Sequence, residues 1–185
     1  MNVERYSSQV MLRDGKAVRI RSIRPRDKRR LQSFHSHLSE RSIYFRFFEL
    51  KERLNDRDLC YFTEVDSVGH VALVATTRKW LRQQIVGVAR YINSQVQDPP
   101  KKVDVAFTVS NEYQGRGLGT ALFHQLAAIA RAQGVEVFEA EVLGENRKMM
   151  RVIEHCGYPG NSTIESGMVS VSFQLDGTPT AREYS

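Results

Sequence analysis

The chain has 185 residues, 41% of them hydrophobic and 26% charged, which suits one domain, residues 1–185, with one sizeable core. Its formal net charge of +6 admits nucleic acid, acidic protein surfaces or a polyanionic ligand as partners. No apolar run approaches the roughly 20 residues of a membrane span, and the polar start Met1-Asn-Val-Glu-Arg-Tyr lacks the apolar centre of a signal peptide. Cys60 and Cys156 lie far apart with no metal-ligand spacing, so they read as reduced thiols of a cytoplasmic protein, and no metal site is expected.

Taken in order, Val10-Met11-Leu12 and Ala17 to Ile23 flank Asp14-Gly15, a strong hairpin turn dipeptide. Ile23 breaks the alternation, so the second strand is expected at a sheet edge. Basic residues are densest from Arg19 to Arg30. The aromatic interleaving and docking helix of nucleic-acid modules are missing there, so the run reads as a solvated helix start and no nucleic-acid partner is expected. A helix is expected from Asp27, as its cap, to Leu38, with Leu31, Phe34 and Leu38 on one face. Ser39 caps a second, Glu40 to Phe48, carrying Ile43, Tyr44, Phe47 and Phe48 as core packing or as a wall of a site. Asn55 to Val65 reads as a third.

Strands Val68 to Thr77 and Gln84 to Asn93 follow, joined by a basic tip holding Trp80 and Leu81. Ser94 to Lys102, with Pro99-Pro100, reads as a mobile loop. Val103 to Val109 is an apolar strand. Leu118 to Gln133 has Leu118, Leu122, Leu126, Ile129 and Ala130 at helical spacing, and Gly134 stops it. Val135 to Leu143 is a strand and Glu145 to His155 a helix. Ile164 to Leu175 is the last strand, with Gly167 as a bulge, and the tail from Asp176 frays.

The stretch Gln114-Gly115-Arg116-Gly117-Leu118-Gly119-Thr120 joins the apolar strand to the long helix. Glycines here let the backbone approach a ligand without Cβ clashes. The first helical amides lack internal partners and the dipole is positive there, so the junction is an anion site, most often for phosphate. A P-loop needs Lys then Ser or Thr after its last glycine, and Thr120-Ala121 stands here instead. A dinucleotide fingerprint needs its third glycine one place later, where Thr120 stands.

The remaining match is to the Gln/Arg-x-x-Gly-x-Gly/Ala loop of the GNAT superfamily of N-acetyltransferases, which Gln114, Gly117 and Gly119 resemble. The resemblance continues through Glu136 to Leu143, Glu145-Asn146 and Gly157-Tyr158, and upstream through His70 to Ala75 and Ile85 to Tyr91, covering about residues 17 to 175. Ser39 to Phe48 resembles a segment of the bacterial protein lysine acetyltransferases of the Pat type. This implies an α/β (α+β) fold: a mostly antiparallel sheet with a splayed parallel strand pair, flanked by helices. It implies acetyl-CoA as cofactor and a primary amine, most readily a protein lysine, as acceptor. The oligomeric state is left open.

The resemblance also implies site residues. Backbone amides of Gly115, Arg116, Gly117, Leu118, Gly119 and Thr120, with Gln114, hold the pyrophosphate of coenzyme A. Phe107, Thr108 and Val109 lie along its pantetheine arm, with an amide near Val109 polarising the thioester carbonyl. Asn146 contacts that arm, or caps a helix. Relatives of the Pat type place a glutamate base where Asp104 stands, one methylene shorter. A carboxylate within an apolar strand is expensive if unpaired, which singles out Asp104 for the base or for an ion pair. Glu139 and Glu141 are alternates unless they simply face solvent. His70 is of the residue type able to titrate near neutrality, but a lone histidine near a strand start reads as structural. Ile153 stands where many relatives have the tyrosine that protonates the thiolate, and Tyr158 does not replace it by register. An acetyl-cysteine route through Cys156 is disfavoured, because the neighbouring His155 does not face it on a helix. Two other functions remain at this stage: acetylation of a small amine, or a sensor that binds acyl-CoA without turnover.

Overall fold

The computed structural model describes residues 2–47, 53–79, 82–93 and 101–175. Trp80, Leu81 and the segments 94–100 and 176–185, on which a basic tip, a loop and a tail were expected, lie outside the described residues.

The N-terminal hairpin forms as the Asp14-Gly15 turn predicts. Strands β1 (Ser7–Met11) and β2 (Ala17–Ser22) pair with Val10 opposite Val18. β2 is not the edge: it pairs with β1 on one side and with β3 (His70–Lys79) on the other. Val18 and Ile20 are buried, and the break at Ile23 arises because Ile23 leaves the strand to pack with the helices on the other face. Three short helices intervene: α1 (Lys28–Ser36), α2 (Glu40–Phe47) and α3 (Asp56–Thr63). Asn55 and Asp58 form a capping box on α3, and the Ser39 hydroxyl accepts from the Ser42 amide at 3.3 Å to cap α2. Phe48 and the side chains of Tyr44 and Phe47 lie outside what is described.

β3 and β4 (Arg82–Ile92) pair from His70–Ile92 to Lys79–Arg82, so the ladder extends into the basic stretch expected to be the tip. Then come β5 (Lys102–Val109), α4 (Leu118–Ala132), β6 (Val137–Leu143), α5 (Arg147–Glu154), β7 (Gly160–Glu165) and β8 (Met168–Gln174). The sheet order is β1-β2-β3-β4-β5-β6-β8-β7, antiparallel throughout except for β5 beside β6. This is the expected fold class. The single last strand is corrected to a hairpin. Ser166 and Gly167 both have positive φ (50° and 82°), so Gly167 closes a two-residue turn between β7 and β8 instead of forming a bulge. β7 gives no sequence signal because its six residues are all exposed and carry no buried alternation.

The sheet has a core on each face. Leu118, Leu122, Leu126 and Ile129 of α4 press on one face, with Leu73, Ala89, Phe138 and Phe173. Leu31, Phe34, Leu38 and Leu54 cover the other, over Ala72, Val74 and Val88. Burying each such Leu or Phe contributes about 1.5–3 kcal/mol.

Asp27 has a different role from the cap expected of it. It stands at the N-cap position of α1 but makes no side-chain capping bond. Its carboxylate, 0% exposed, accepts from Arg21 at 2.7 and 2.8 Å, from Arg30 at 3.0 Å and from the Arg24 amide at 3.0 Å. Burial alone would raise this carboxyl's pKa, but the Arg21 and Arg30 bonds and charges outweigh it and hold the pKa below the ordinary value. The stability from this depression is present above the unfolded-state value near 4 and is lost as pH falls below it. Asp27→Asn is expected to cost about 3–5 kcal/mol in urea unfolding at pH 7, since it leaves Arg21 buried without its anion. The deficit relative to wild type should shrink as the pH is lowered below about 4.

Candidate active site

β5 and β6 are neighbours for only three positions. Lys102, Val103 and Asp104 face Val137, Phe138 and Glu139, and no pairing follows. β5 continues to Val109 on β4, while β6 continues to Leu143 on β8. The two strands therefore part at Asp104 and open a V. From Val105 to Val109 the β6-facing edge of β5 has no strand partner, so its backbone polar groups, apart from the Val109 carbonyl that accepts from Gln114, are available to a ligand in the V.

The V is continuous with a cleft of about 1460 Å³. Drug-sized ligands occupy roughly 300–1,000 Å³, so this space accommodates a long cofactor together with part of an acceptor. Asp104, Phe107, Thr108 and Val109 line it from β5. Gln114, Gly115 and Gly119 line it from the loop, and Asn146 from the start of α5. Arg116, Gly117, Leu118 and Thr120 belong to the same loop but are not among the residues lining the cleft. Leu118 is 1% exposed and packs in the core, so only its backbone can face a ligand.

Local geometry gives the loop its anion-binding character. Gly115 and Gly117 have φ of 73° and 85°, the left-handed region that side chains resist. Gly117 is the N-cap of α4 and supplies no side-chain cap, and the first intrahelical bond is Ala121 N–H to Gly117 O at 3.0 Å. The amides of Leu118, Gly119 and Thr120 therefore precede the helical ladder. A Cβ on Gly119 would come within 3.1 Å of Val152 Cγ2, so glycine lets α5 approach the start of α4.

Residues not singled out in the sequence hold this loop. Arg116 bonds Asp14 in the β1–β2 turn, and the Arg13 amide donates to Arg116 O at 3.2 Å. The Gln114 side chain donates to Val109 O at 2.9 Å and accepts from Lys148 Nζ at 2.6 Å, linking the end of β5 to α5. Arg41 of α2 lies 4.0 Å from Glu145, and Ser42 donates to Asn111 at 3.2 Å, both beside the cleft. Apart from Gln114 and Val109, five positions apart, these partners are about 30 to 100 positions apart in the chain, so no local pattern announces them. Asp14-Gly15 carried a turn signal only.

Asp104 is exposed within the cleft. The apolar strand around it had implied burial, but the even-numbered side chains of β5 point to the open face while Val103 and Val105 are buried on the other. Among the described residues Asp104 has no ion-pair partner. Glu139 and Glu141 share its face. Asn146 caps α5, accepting from the Met149 amide at 3.2 Å, and also lines the cleft. Ile153 lines the cleft, whereas Tyr158 is buried against Phe123, ring centroids 5.7 Å apart. Cys156 is 0% exposed and burial pushes its thiol pKa up, away from the reactive thiolate. His70 packs on Tyr61 with centroids 5.1 Å apart and approaches Arg90 at 3.4 Å, in keeping with a structural role.

The comparisons agree with this geometry. The profile of the Acetyltransferase (GNAT) family matches residues 32–158. The crystal structure of the GNAT domain of S. lividans PAT superposes with a TM-score of 0.83 at 36% identity, covering 91% of this chain and 96% of that one. Acetyltransferase Pat of Mycolicibacterium smegmatis is 30% identical over 148 residues, 80% of this chain but 43% of that protein. The chain thus spans less than half of that relative. The structure of yncA, a putative acetyltransferase from Salmonella typhimurium with its cofactor acetyl-CoA, shares the fold with a TM-score of 0.68 at 20% identity, covering 90% of this chain and 99% of that one. The chain belongs to the GNAT acetyltransferase family. The loop, the uncapped helix start and the V fit a thioester of coenzyme A.

Gly119→Val is expected to lower acetyl-CoA affinity at least tenfold in isothermal titration while circular dichroism stays unchanged. The added side chain pushes against Val152 and displaces the helix start from the ligand.

Proposed function

We propose that this chain transfers the acetyl group of acetyl-CoA to a protein lysine, with Asp104 as general base. The observation that carries the reading is the place of Asp104: at the vertex of the V, exposed to the cleft, with no ion-pair partner among the described residues. Two relatives of the Pat type, matched at 30% and 36% identity, support the lysine acceptor. The sheet running from residue 7 to 174 supports reading residues 1–185 as one GNAT domain. The two free cysteines fit a cytoplasmic location.

Acetyl-CoA supplies an activated acyl group as a thioester. The amides of Gly115 to Thr120 hold its pyrophosphate at the positive end of α4. Phe107 to Val109 and Asn146 hold the arm that leads to the acyl group. A β5 amide near Val109 donates to the thioester carbonyl and stabilises charge as it develops there. Asp104 takes a proton from the lysine ammonium, so that the neutral amine attacks the carbonyl carbon directly. Its short side chain and exposed position favour relay of that proton through one water. The attacking nitrogen then gives up its second proton to water as the carbon–sulfur bond breaks, leaving a neutral amide and the thiolate of coenzyme A. No tyrosine, histidine or cysteine is among the described residues lining the cleft. The thiolate takes its proton from water, and Ile153 offers none.

Asp104→Asn is expected to lower kcat for a lysine peptide by about a hundredfold to ten-thousandfold, the range of one general base, while acetyl-CoA affinity stays within twofold. Near-normal turnover would remove Asp104 from the mechanism. Turnover of polyamines or amino acids in place of every lysine peptide would move the acceptor to the small-amine class. In a thermal melt, acetyl-CoA at about a hundred times its Kd should stabilise by roughly 2.7 kcal/mol, about 5–11 °C for a domain of this size, with no such shift from NAD or ATP.

A further inference from the structure

The parting of β5 and β6 leaves one face of β6, β8 and β7 polar and accessible. By register, Glu139 lies beside Ser172 and Asn161, and Glu141 beside Ser170 and Thr163. The opposite face of the same strands is buried: Phe138, Val142, Val169, Val171 and Phe173 are all within the core. Asp104 stands next to Glu139 across the last paired position of β5. Three carboxylates therefore start at the vertex and run along β6, lining the cleft. Adjacent strands are about 4.8 Å apart and alternate residues about 7 Å apart, so Glu141 lies one side-chain repeat beyond Glu139.

Three cations lining the same cleft lie on other elements: Arg41 is 4.0 Å from Glu145, Lys148 bonds Gln114, and Arg147 opens α5. Lys102 is 3.8 Å from Glu139, both partly exposed. Arg90 of β4 is 4% exposed and sits over the Phe62 ring at 4.3 Å. Glu141 is exposed and has no ion-pair partner among the described residues. In a chain of net charge +6 the row from Asp104 to Glu141 is acidic along its length. Its charge complements a cation, and its hydroxyl and amide floor suits an extended peptide better than an apolar partner.

We propose that Glu141 selects protein acceptors carrying a second cationic residue two positions from the target lysine. The inference rests on the lysine-acceptor reading above. In an extended segment, residues two apart project to the same face about 7 Å apart, so one cation meets Asp104 while the next reaches Glu141. Glu139, already beside Lys102, contributes less.

The test uses three peptides with one lysine and Arg, Gln or Glu two positions away, and reads the ratio of kcat/KM between them. The wild-type protein should favour the Arg peptide over the Gln peptide about two- to fivefold, the range of one exposed ion pair, chiefly through KM. That ratio should fall towards one as salt is raised from low to high. Glu141→Gln should bring it near one, and Glu141→Lys should favour the Glu peptide. Equal kcat/KM for all three peptides in the wild type, or an Arg preference that survives in Glu141→Lys, overturns the role of Glu141 and leaves the lysine reading standing. Acetylation of spermidine but of none of the peptides overturns both.

Discussion

Everything specific about this molecule depends on where β5 leaves β6. A sheet normally satisfies backbone groups by pairing every interior strand on both sides. Here the parallel ladder ends at Asp104 and Glu139. The backbone beyond is then obliged to find other partners, and an extended ligand bearing amides and a carbonyl supplies them in the proposed mechanism. The same parting exposes a carboxylate from a strand whose other side is core, because side chains alternate between faces.

The glycine loop works only within that frame. Positive φ at Gly115 and Gly117 turns the chain sharply enough to start α4 directly above the end of β5. Leu118 and Leu122 then lock the helix to the sheet, both at most 1% exposed. The loop is also tied sideways, through Arg116 to Asp14 and through Gln114 to Lys148. The amides are thus preorganised by packing, by one remote ion pair and by one remote hydrogen bond, which lowers the ordering cost of binding a polyanion.

The remainder of the cleft is built by segments that do not carry the loop motif. α2 reaches over through Ser42 to Asn111 and towards Glu145 through Arg41. α5 supplies Val152 and Ile153, with Asn146 at its cap. The buried Asp27–Arg21 pair anchors the turn that leads into α1 and so sets how the first helices meet the sheet.

The sequence by itself determined the glycine loop, the long helix and most strands, because each rests on interactions within a few residues: glycine conformations, a 3.6-residue apolar stripe and alternation. From these followed the family, and with it Asp104 and the residues from Gln114 to Thr120 as candidates. Tertiary structure decided what depends on distant partners. Asp27 has the chemistry of a cap, yet Arg21, held close by β2, takes its carboxylate. β2 looked like an edge until β1 was placed outside it, and the exposed β7 had no alternation to betray it. The exposure of Asp104, the open acidic face along β6 and the ties from Asp14 and Lys148 exist only once strands far apart in the chain are set side by side. Local patterns record which face of an element is apolar, and only packing settles what that face and its opposite will meet.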